Sequence, residues 1–337
     1  MISSTGRMLV HPEDPNLVLE LTADSGSVSV FDLLASPKAD TAAGQIDGGV
    51  KDACWLPVSC GEAVFITVTD KGSIRAYSAL VCLLAPPPKP RPDPLEMRPV
   101  PELALTGMIT GLCATTCNVI GFTFADGTAR LFKPRLRDGS GLQRHDSVLG
   151  LDLLSTLDCR PGSPVAVCGP TAYAYCHAQR DSVVLKGFGA RRSPKQCEID
   201  YPKGAVGVIS LAATTDVVAA IYDLGGTGKC QLCVYSTYEV PPSLVHSEVF
   251  DVAEVKGPLQ INSIRDTNAV VMVVSSSRIV VRSRTYADGE RWLTRGISNP
   301  PKCCALILET DGMGWDRCLV AGKAVEDLPE ATTRLFS

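Results

Sequence analysis

The chain has 337 residues, of which 45% are hydrophobic and 20% are charged, and its formal net charge is -4. This composition supports a large apolar core and excludes a disordered chain, and an acidic protein has no general electrostatic attraction to the phosphate backbone of nucleic acid. The first residues lack the charged and apolar segments of a secretion signal, and no apolar run reaches the ~18 residues of a membrane span. We therefore predict a cytoplasmic or nuclear protein that does not insert into membranes.

Sets of predicted β-strands follow one another from the start of the chain. The first set is Met8–Val10, Asn16–Thr22 and Val28–Asp32; the second is Val50–Trp55, Ala63–Thr69 and Ile74–Ser78; the third begins with Ile109–Cys113. The third set continues with Val119–Lys133, where two runs of alternating β-forming residues flank Asp126-Gly127. Asp-Gly between such runs is a strong hairpin signal. The turns Asp24–Ser27 and Asp70–Ser73 repeat the order of Asp, Gly and Ser or Thr.

Beyond residue 150 the turn motif weakens while the strand pattern persists. The later sets are Pro164–Gly169 and Thr171–Cys176; Val208–Ala212, Val217–Tyr222 and Cys230–Tyr235; Val270–Ser275 and Arg278–Arg282; and Cys304–Leu308, Arg317–Ala321 and Lys323–Leu328. From Gly26 to Gly322 the repeat length is about 49 residues, near the roughly 40–50 residues of a propeller blade. The count would be eight if a long loop contains a further strand, or six if the C-terminal set is not a repeat.

The repeats predict one all-β domain over residues 1–337, a single β-propeller of about seven four-stranded blades. A lone sheet leaves two faces and two edges exposed, and radial packing of several sheets covers the faces and leaves only short edges. We expect strands from both termini to close the ring, with Met8–Val10 and Thr333–Phe336 as the candidates.

The repeat motif resembles that of divergent WD40 repeats. The Asp-x-Gly-Ser/Thr turn and the short strand ending in an aromatic residue resemble the third-strand region of that family, and Val28–Asp32 is similar to its hydrophobic-Trp-Asp ending with Phe31 in place of Trp. The resemblance covers Met8–Lys133 by motif and the rest by pattern. The chain departs from the family in having no Gly-His dipeptide before the first strands, and its only Trp-Asp, Trp315-Asp316, precedes a strand.

The resemblance implies a rigid ring that binds other proteins or peptides, as a non-catalytic scaffold subunit of a larger assembly without a cofactor. The alternative is a propeller-fold enzyme with a site in the central channel. No Gly-x-Ser-x-Gly elbow occurs, and the four histidines are isolated in the sequence. Function has to be argued from sites and not from the fold, so the alternative stays open.

Two motifs resemble catalytic or binding sites. Asp24, Asp70 and Asp126 are three carboxylates around one ring, but an Asp in a turn bonds its own backbone, so we interpret them as turn-stabilising residues. Gly225–Lys229 resembles a phosphate-binding loop, yet Cys230 stands where Ser or Thr is required and a strand follows where a helix should begin. We predict a hairpin turn there.

The chain contains 14 cysteines, which lie mostly in predicted strands. Free Cys behaves as a small buried hydrophobe, so we predict reduced core residues at Cys54, Cys113, Cys168, Cys176, Cys233, Cys304 and Cys318. Cys230 and Cys233 have an odd separation on a strand, which directs them to opposite faces. Cys113 and Cys117 are less constrained but have no second pair of ligands, so no metal site is expected.

Partner contacts are predicted in three places. The Pro-rich insertion 85–104, placed between blades two and three, should be extended polyproline II as far as Pro101 and unable to join a sheet; its candidate contacts are Pro88, Lys89, Pro90 and Arg91. Two basic loops suit an acidic peptide or phosphate as ligand: Lys133–Arg144, with Arg135 and Arg137, and residues 186–204, with Arg191 and Arg192. Ser193 in the second loop is a candidate phosphate acceptor. The alternative for all three is a solvated surface loop.

Overall fold

The computed structural model describes residues 7–11, 17–22, 25–32, 44–46, 48–56, 62–82, 98–103, 105–114, 119–137, 148–188, 196–213, 217–237, 241–251, 261–264, 270–274, 278–283, 291–296, 304–307, 317–320 and 323–327. The regular elements in these residues are 27 β-strands. Side chains are described only up to Asp251. Within these ranges no helix is long and apolar enough to cross a membrane.

The described strands form seven antiparallel sheets, numbered here in chain order, and the strands of each sheet lie side by side in the order of the chain. Sheet 1 contains β1 (Arg7–Val10), β2 (Leu17–Thr22), β3 (Ser27–Asp32) and β4 (Gly44–Ile46). Sheet 2 contains β5 (Val50–Leu56), β6 (Glu62–Thr69), β7 (Ile74–Cys82) and β8 (Arg98–Leu103). Sheet 3 contains β9 (Ile109–Ala114), β10 (Ile120–Phe124), β11 (Thr128–Arg137) and β12 (Val148–Asp158).

The second half of the chain continues the pattern. Sheet 4 contains β13 (Val165–Val167), β14 (Tyr173–Cys176), β15 (Ser182–Lys186) and β16 (Gln196–Asp200). Sheet 5 contains β17 (Gly207–Ala213), β18 (Val217–Asp223), β19 (Lys229–Ser236) and β20 (Ser243–Asp251). Sheet 6 contains β21 (Ile261–Ile264), β22 (Val270–Val274), β23 (Arg278–Ser283) and β24 (Arg291–Gly296). Sheet 7 has three described strands, β25 (Cys304–Ile307), β26 (Arg317–Val320) and β27 (Lys323–Asp327).

Apolar clusters fill the spaces between consecutive sheets. In β6, Phe65 lies in the cluster shared with sheet 1, whereas Val64 and Ile66 lie in the cluster shared with sheet 3. Similar clusters join sheets 3 and 4 and sheets 4 and 5. Because successive residues of a strand point to opposite faces, a sheet packed on both faces needs a continuous apolar run. This accounts for the buried run Ala63–Val68, in which Thr67 is the only polar residue.

The first strands of the sheets lie beside one another. Neighbouring pairs are β1 and β5, β5 and β9, β9 and β13, β13 and β17, and β17 and β21. β1 also lies near β25, the first strand of sheet 7. The sheets are therefore stacked face to face around their first strands, and the fourth strands lie on the outside.

The N-terminal strand differs from the expectation for Met8–Val10. It pairs with β2 inside sheet 1, and no pairing to sheet 7 is seen among the described strands. The indole N–H of Trp55 donates to the carbonyl of Leu9 at 2.8 Å, and the His11 ring meets Trp55 edge-on at 4.9 Å. These contacts fix β1 against sheet 2. Thr333–Phe336 lies outside the described residues.

The expectation for the Pro-rich insertion needs two corrections. Residues 98–103 are not polyproline II; they form β8, which pairs with β7, so the connection 83–97 joins two strands of sheet 2 instead of joining sheets 2 and 3. Pro tolerates an edge strand whose free side needs no N–H donor. Pro99 and Pro101 both lie on this outermost strand, and the register with β7 shifts beside Pro101, where a bulge also tolerates Pro.

The two basic loops are also shorter than expected. Arg135 and Arg137 lie in β11, which continues five residues beyond Phe132, and Arg144 lies outside the described residues. Within 186–204, Gln196–Asp200 forms β16 and pairs with β15. The sequence missed this strand because its side chains are exposed or half-buried throughout, which leaves no apolar alternation.

Candidate interaction surface

Hairpin turns and inter-sheet linkers build one face of the molecule, which we call the turn face. The turns join the second and third strands of each sheet, and the linkers lead from the fourth strand of one sheet to the first strand of the next. Backbone hydrogen bonds from N–H to carbonyl connect them: Val50 to Gly26 (2.9 Å), Asp70 to Gly49 (3.0 Å), Ala125 to Met108 (2.9 Å), Cys159 to Gly127 (2.8 Å), Tyr201 to Asp181 (2.8 Å) and Val206 to Asp223 (2.8 Å). Main-chain bonds therefore hold the turn face.

The turn glycines permit this close approach. Gly26 has a φ of 59°, and a Cβ at this position would lie 3.0 Å from the Gly49 nitrogen and 3.1 Å from the Val50 carbonyl oxygen. Only Gly adopts such a backbone without strain and leaves room for the linker. The repeated turn glycine is thus explained by its contact with the next linker.

Asp126 stabilises its own turn. Its Oδ1 accepts hydrogen bonds from the hydroxyl of Thr128 at 2.7 Å and from the Thr128 N–H at 2.8 Å, and Arg130 lies 3.7 Å from its Oδ2. The hydroxyl bond, the N–H bond and the guanidinium lower the pKa of Asp126. The turn-stabilising interpretation is confirmed for Asp126; Asp70 is exposed at its turn, and Asp24 lies outside the described residues.

Two arginines fasten turns to linkers with their side chains. Arg130 donates from Nη1 to the Thr106 carbonyl at 2.9 Å and lies 4.2 Å from the centroid of the Phe124 ring. Arg160 donates from Nη2 to Asp181 Oδ1 at 2.7 Å and to the Arg180 carbonyl at 3.0 Å. The bond to Asp181 raises the pKa of Arg160. Both guanidinium groups therefore stabilise the turn face and are not available as free cationic sites.

Asp52 links two first strands, a role that the sequence did not reveal. Its Oδ2 accepts a hydrogen bond from the Leu112 N–H of β9 at 3.0 Å, and its Oδ1 accepts one from the Ala53 N–H at 2.9 Å. The first strand of a sheet has an unpaired edge, and a carboxylate can satisfy a donor there. Lys51 and Asp52 interrupting an apolar strand are the only sequence signal for this contact.

The cysteines whose side chains are described are free thiols. Of the predicted core residues, Cys54, Cys176 and Cys233 are buried, Cys113 and Cys168 are half-buried, and the side chains of Cys304 and Cys318 lie outside the described residues. Burial raises the pKa of Cys159 to about 12, with Cys176 nearby adding to the effect, so this thiol stays protonated and unreactive. Cys230 and Cys233 lie in different apolar clusters on opposite faces of sheet 5, which confirms the prediction from their spacing. Cys117 lies outside the described residues.

Gly225–Lys229 is a hairpin turn between β18 and β19, as predicted. The Thr227 hydroxyl donates to the Leu224 carbonyl at 2.9 Å, and the Lys229 N–H donates to the same hydroxyl at 3.2 Å. The Thr227 hydroxyl is thus bonded within the turn, and Cys230, which stands where a phosphate-binding loop needs Ser or Thr, is fully buried on β19.

The predicted partner residues lie toward the end of the sheets opposite the turn face, which we call the loop face. Because β7, β11 and β15 start at the turn face, the connections that follow them begin at the loop face. These connections are 83–97, 138–147 and 187–195, in three consecutive sheets. Arg135 is exposed on β11 and contacts Asp152 of β12; the side chain of Arg137 and all of Pro88, Lys89, Pro90, Arg91, Arg191 and Arg192 lie outside the described residues.

Exposed apolar side chains occur at two kinds of place. Met108 and Val206 lie on linkers of the turn face, and the others lie on two outer strands: Leu153 and Leu154 on β12, Leu244 and Val249 on β20. Neither outer strand was predicted from the sequence, because polar residues interrupt their apolar pattern. Large exposed apolar side chains that cluster indicate contact surfaces.

Antiparallel sheets stacked around their first strands, with turns and linkers on one face, define a β-propeller. The chain is similar to solved WD40 β-propeller structures. With Sqt1 of Saccharomyces cerevisiae it shares 11% sequence identity at a TM-score of 0.55, over 97% of each chain. Sqt1 of Chaetomium thermophilum, solved bound to the N-terminus of ribosomal protein L10, gives 15% identity and a TM-score of 0.53 over 94% of this chain and 82% of that one.

A third similar structure is the β-propeller domain of Cps50 (Swd1) from Myceliophteria thermophila, with 12% identity and a TM-score of 0.51 over 83% of this chain and 82% of that chain. No protein-family model and no curated protein matches the chain. The likeness therefore concerns the fold, which is that of a divergent WD40-like β-propeller.

Proposed function

We propose that this chain is a non-catalytic scaffold, a WD40-like propeller that binds other proteins or peptides as a subunit of a multiprotein complex. The observation that carries the proposal is the difference between the two ends of the sheets. Main-chain hydrogen bonds hold turns and linkers together at the turn face, whereas three neighbouring sheets have long connections at the loop face. A rigid frame with long connecting segments suits partner binding.

We further propose a closed ring of seven blades. Seven described sheets and the nearness of β1 to β25 support it. In this arrangement the first strand of sheet 1 packs beside the first strand of sheet 7, and closure needs no exchange of a whole strand between the terminal sheets.

The proposed partners are proteins or peptides. The C. thermophilum Sqt1 structure contains the N-terminus of a ribosomal protein as its partner, and an extended protein segment is the kind of ligand we propose here. The net charge of -4 disfavours nucleic acid as a general partner. A cytoplasmic or nuclear location without membrane insertion or a cofactor completes the proposal.

The proposed contact residues are Pro88, Lys89, Pro90 and Arg91, then Arg135 and Arg137, and then Arg191 and Arg192. Their support is that β7, β11 and β15 belong to consecutive sheets and end at the same face. Arginines form strong charge-assisted bonds with carboxylates and phosphates, so an acidic or phosphorylated segment is the expected ligand.

Affinity capture from cells with crosslinking and mass spectrometry tests the proposal. The change is Arg191→Glu with Arg192→Glu, which should lower partner recovery at least about tenfold, or ~1.4 kcal/mol, because it places like charges against an acidic ligand. The matched control is Lys71→Glu with Lys203→Glu, two exposed lysines of the turn face, which should leave recovery unchanged. Recovery of no other protein, or crosslinks confined to the turn face, would contradict it.

A further inference from the structure

Sheet 3 ends in a long outer strand with a free side. β12 contains 11 residues, Val148–Asp158, and is the longest strand in the described part of the chain. It pairs with β11 along its whole length, and no described strand pairs with its other side. An edge strand of this length is a template for contact with another chain unless it is protected.

The middle of β12 is apolar and exposed. Leu131 pairs with Ser155 and Phe132 pairs with Leu153, so Leu154 is an extra residue that forms a β-bulge. Bulges re-aim side chains that would otherwise alternate between two faces. Leu153 is 57% exposed and its neighbour Leu154 is 40% exposed, and the two lie at the midpoint of the strand.

The ribbon formed by β11 and β12 ends in acidic residues at the turn face. Asp158 is exposed and pairs with Thr128 in the register of the two strands. The exposed Asp126 lies at the hairpin tip beside Thr128. Arg130 offsets part of this charge through its contact with Asp126, and Asp158 remains at the end of the outer strand.

The other end of the same ribbon is basic. Lys133 and Arg135 are exposed on β11, and Arg137 pairs with Val148 at the far end of the register. Asp152 offsets one of these positive charges through its contact with Arg135. The ribbon is therefore positive at the loop face, apolar in the middle and negative at the turn face.

We propose that β12 is the contact surface for a second copy of this chain, with the two β12 strands antiparallel about a two-fold axis near Leu153 and Leu154. A two-fold interface uses the same patch on both subunits, so the patch has to complement itself. Antiparallel placement brings the leucine pairs together at the centre. It also sets the acidic end of each ribbon beside the basic end of the other, at both ends at once.

The bulge decides what kind of contact this is. It interrupts the regular spacing of the free backbone N–H and C=O groups of β12, so a continuous row of hydrogen bonds between the two copies contributes little. The apolar centre and the two charge pairs therefore stabilise the dimer. A contact along one strand buries less than the ~1,000 Å² typical of a stable complex. The dimer is therefore weak and depends on protein concentration.

Sedimentation velocity of the purified full chain tests whether the apolar centre of β12 forms the dimer contact. Concentrations should run from about 1 to 200 µM, because a contact of this size is weak and dimerises only in the upper part of that range. The native sequence should approach the mass of a dimer at the top of it. Leu153→Asp with Leu154→Asp should stay monomeric. The matched control is Leu244→Asp, a leucine 55% exposed on β20, the outer strand of sheet 5, which should dimerise like the native chain.

A charge exchange tests the antiparallel arrangement. Asp158→Lys alone and Arg137→Glu alone should each raise the dissociation constant about fivefold or more, because each change removes a solvent-exposed charge pair at both ends of the dimer. The double variant exchanges the charges of both ends and should restore dimerisation. Circular dichroism checks the fold of every variant. A native chain that stays monomeric at the highest concentration, a control as impaired as the leucine variant, or a double variant without rescue would each overturn the proposal.

Discussion

Replacing Gly187 with Ala should lower the free energy of unfolding by roughly 3–5 kcal/mol, at the upper end for a single substitution. Gly187 follows β15 with a φ of 79°, a region that L side chains rarely adopt. A Cβ there would overlap the carbonyl oxygen of Thr171 and lie 2.8 Å from the Thr171 carbonyl carbon and 3.0 Å from the Ala172 Cα. Because all three are backbone atoms, the segment before β14 has to move.

Gly162→Ala is the matched control for this prediction. Gly162 has a φ of 72° but no atom within 4 Å of its Cβ position, so the substitution should cost only the left-handed backbone penalty of ~1–2 kcal/mol. Urea unfolding of the two variants and the native chain measures both costs. Equal costs would contradict the close packing of Thr171 on Gly187.

Phe122→Ala should destabilise the protein by about 3–5 kcal/mol, the usual cost of deleting a buried aromatic ring. Phe122 is fully buried in the cluster between sheets 2 and 3. Its ring meets the Phe132 ring edge-on, with 5.7 Å between centroids and 71° between planes. Removing it leaves a cavity in an interface that relaxes only if two sheets move.

Leu154→Ala provides the comparison, because Leu154 is 40% exposed on the outer strand of the same sheet. The expected cost is below about 0.5 kcal/mol, as for most surface substitutions, measured by urea unfolding at a concentration where the chain is monomeric. A cost of less than about 1 kcal/mol for Phe122→Ala would be incompatible with burial between two sheets.

Sequence periodicity predicted most of the inner strands but missed β15 and β21, and it was insufficient for the outer strands. Ala63–Val68 and Val217–Tyr222 are buried on both faces, so their nearly continuous apolar runs predicted them as strands. The fourth strands have one side open to solvent and little constraint on composition. β4 is three residues long and β8 contains two prolines, so neither carries a pattern that distinguishes it from a loop.

The candidate surface was less accessible to sequence reasoning than the fold. The bonds from Val50 to Gly26 and from Tyr201 to Asp181 join main-chain groups, which leave no side-chain signature except the turn glycine. The charge of Arg135 was enough to predict that it is exposed. Its position on a strand and its contact with Asp152 follow from the pairing register of β11 and β12, which the sequence did not indicate. The exposure of Leu154 depends on a bulge that no local pattern indicated.

Closure of the ring is tested most directly by a photo-crosslink from β1. Leu9 packs against the apolar clusters next to sheet 2. Val10 is the next residue of β1, so its position is on the opposite face of the strand. With p-benzoylphenylalanine at Val10 in the Leu153→Asp, Leu154→Asp chain, illumination should join β1 to Cys304–Ile307, because β1 and β25 are neighbours. Crosslinks found by mass spectrometry only within sheets 1 and 2 would contradict a closed propeller.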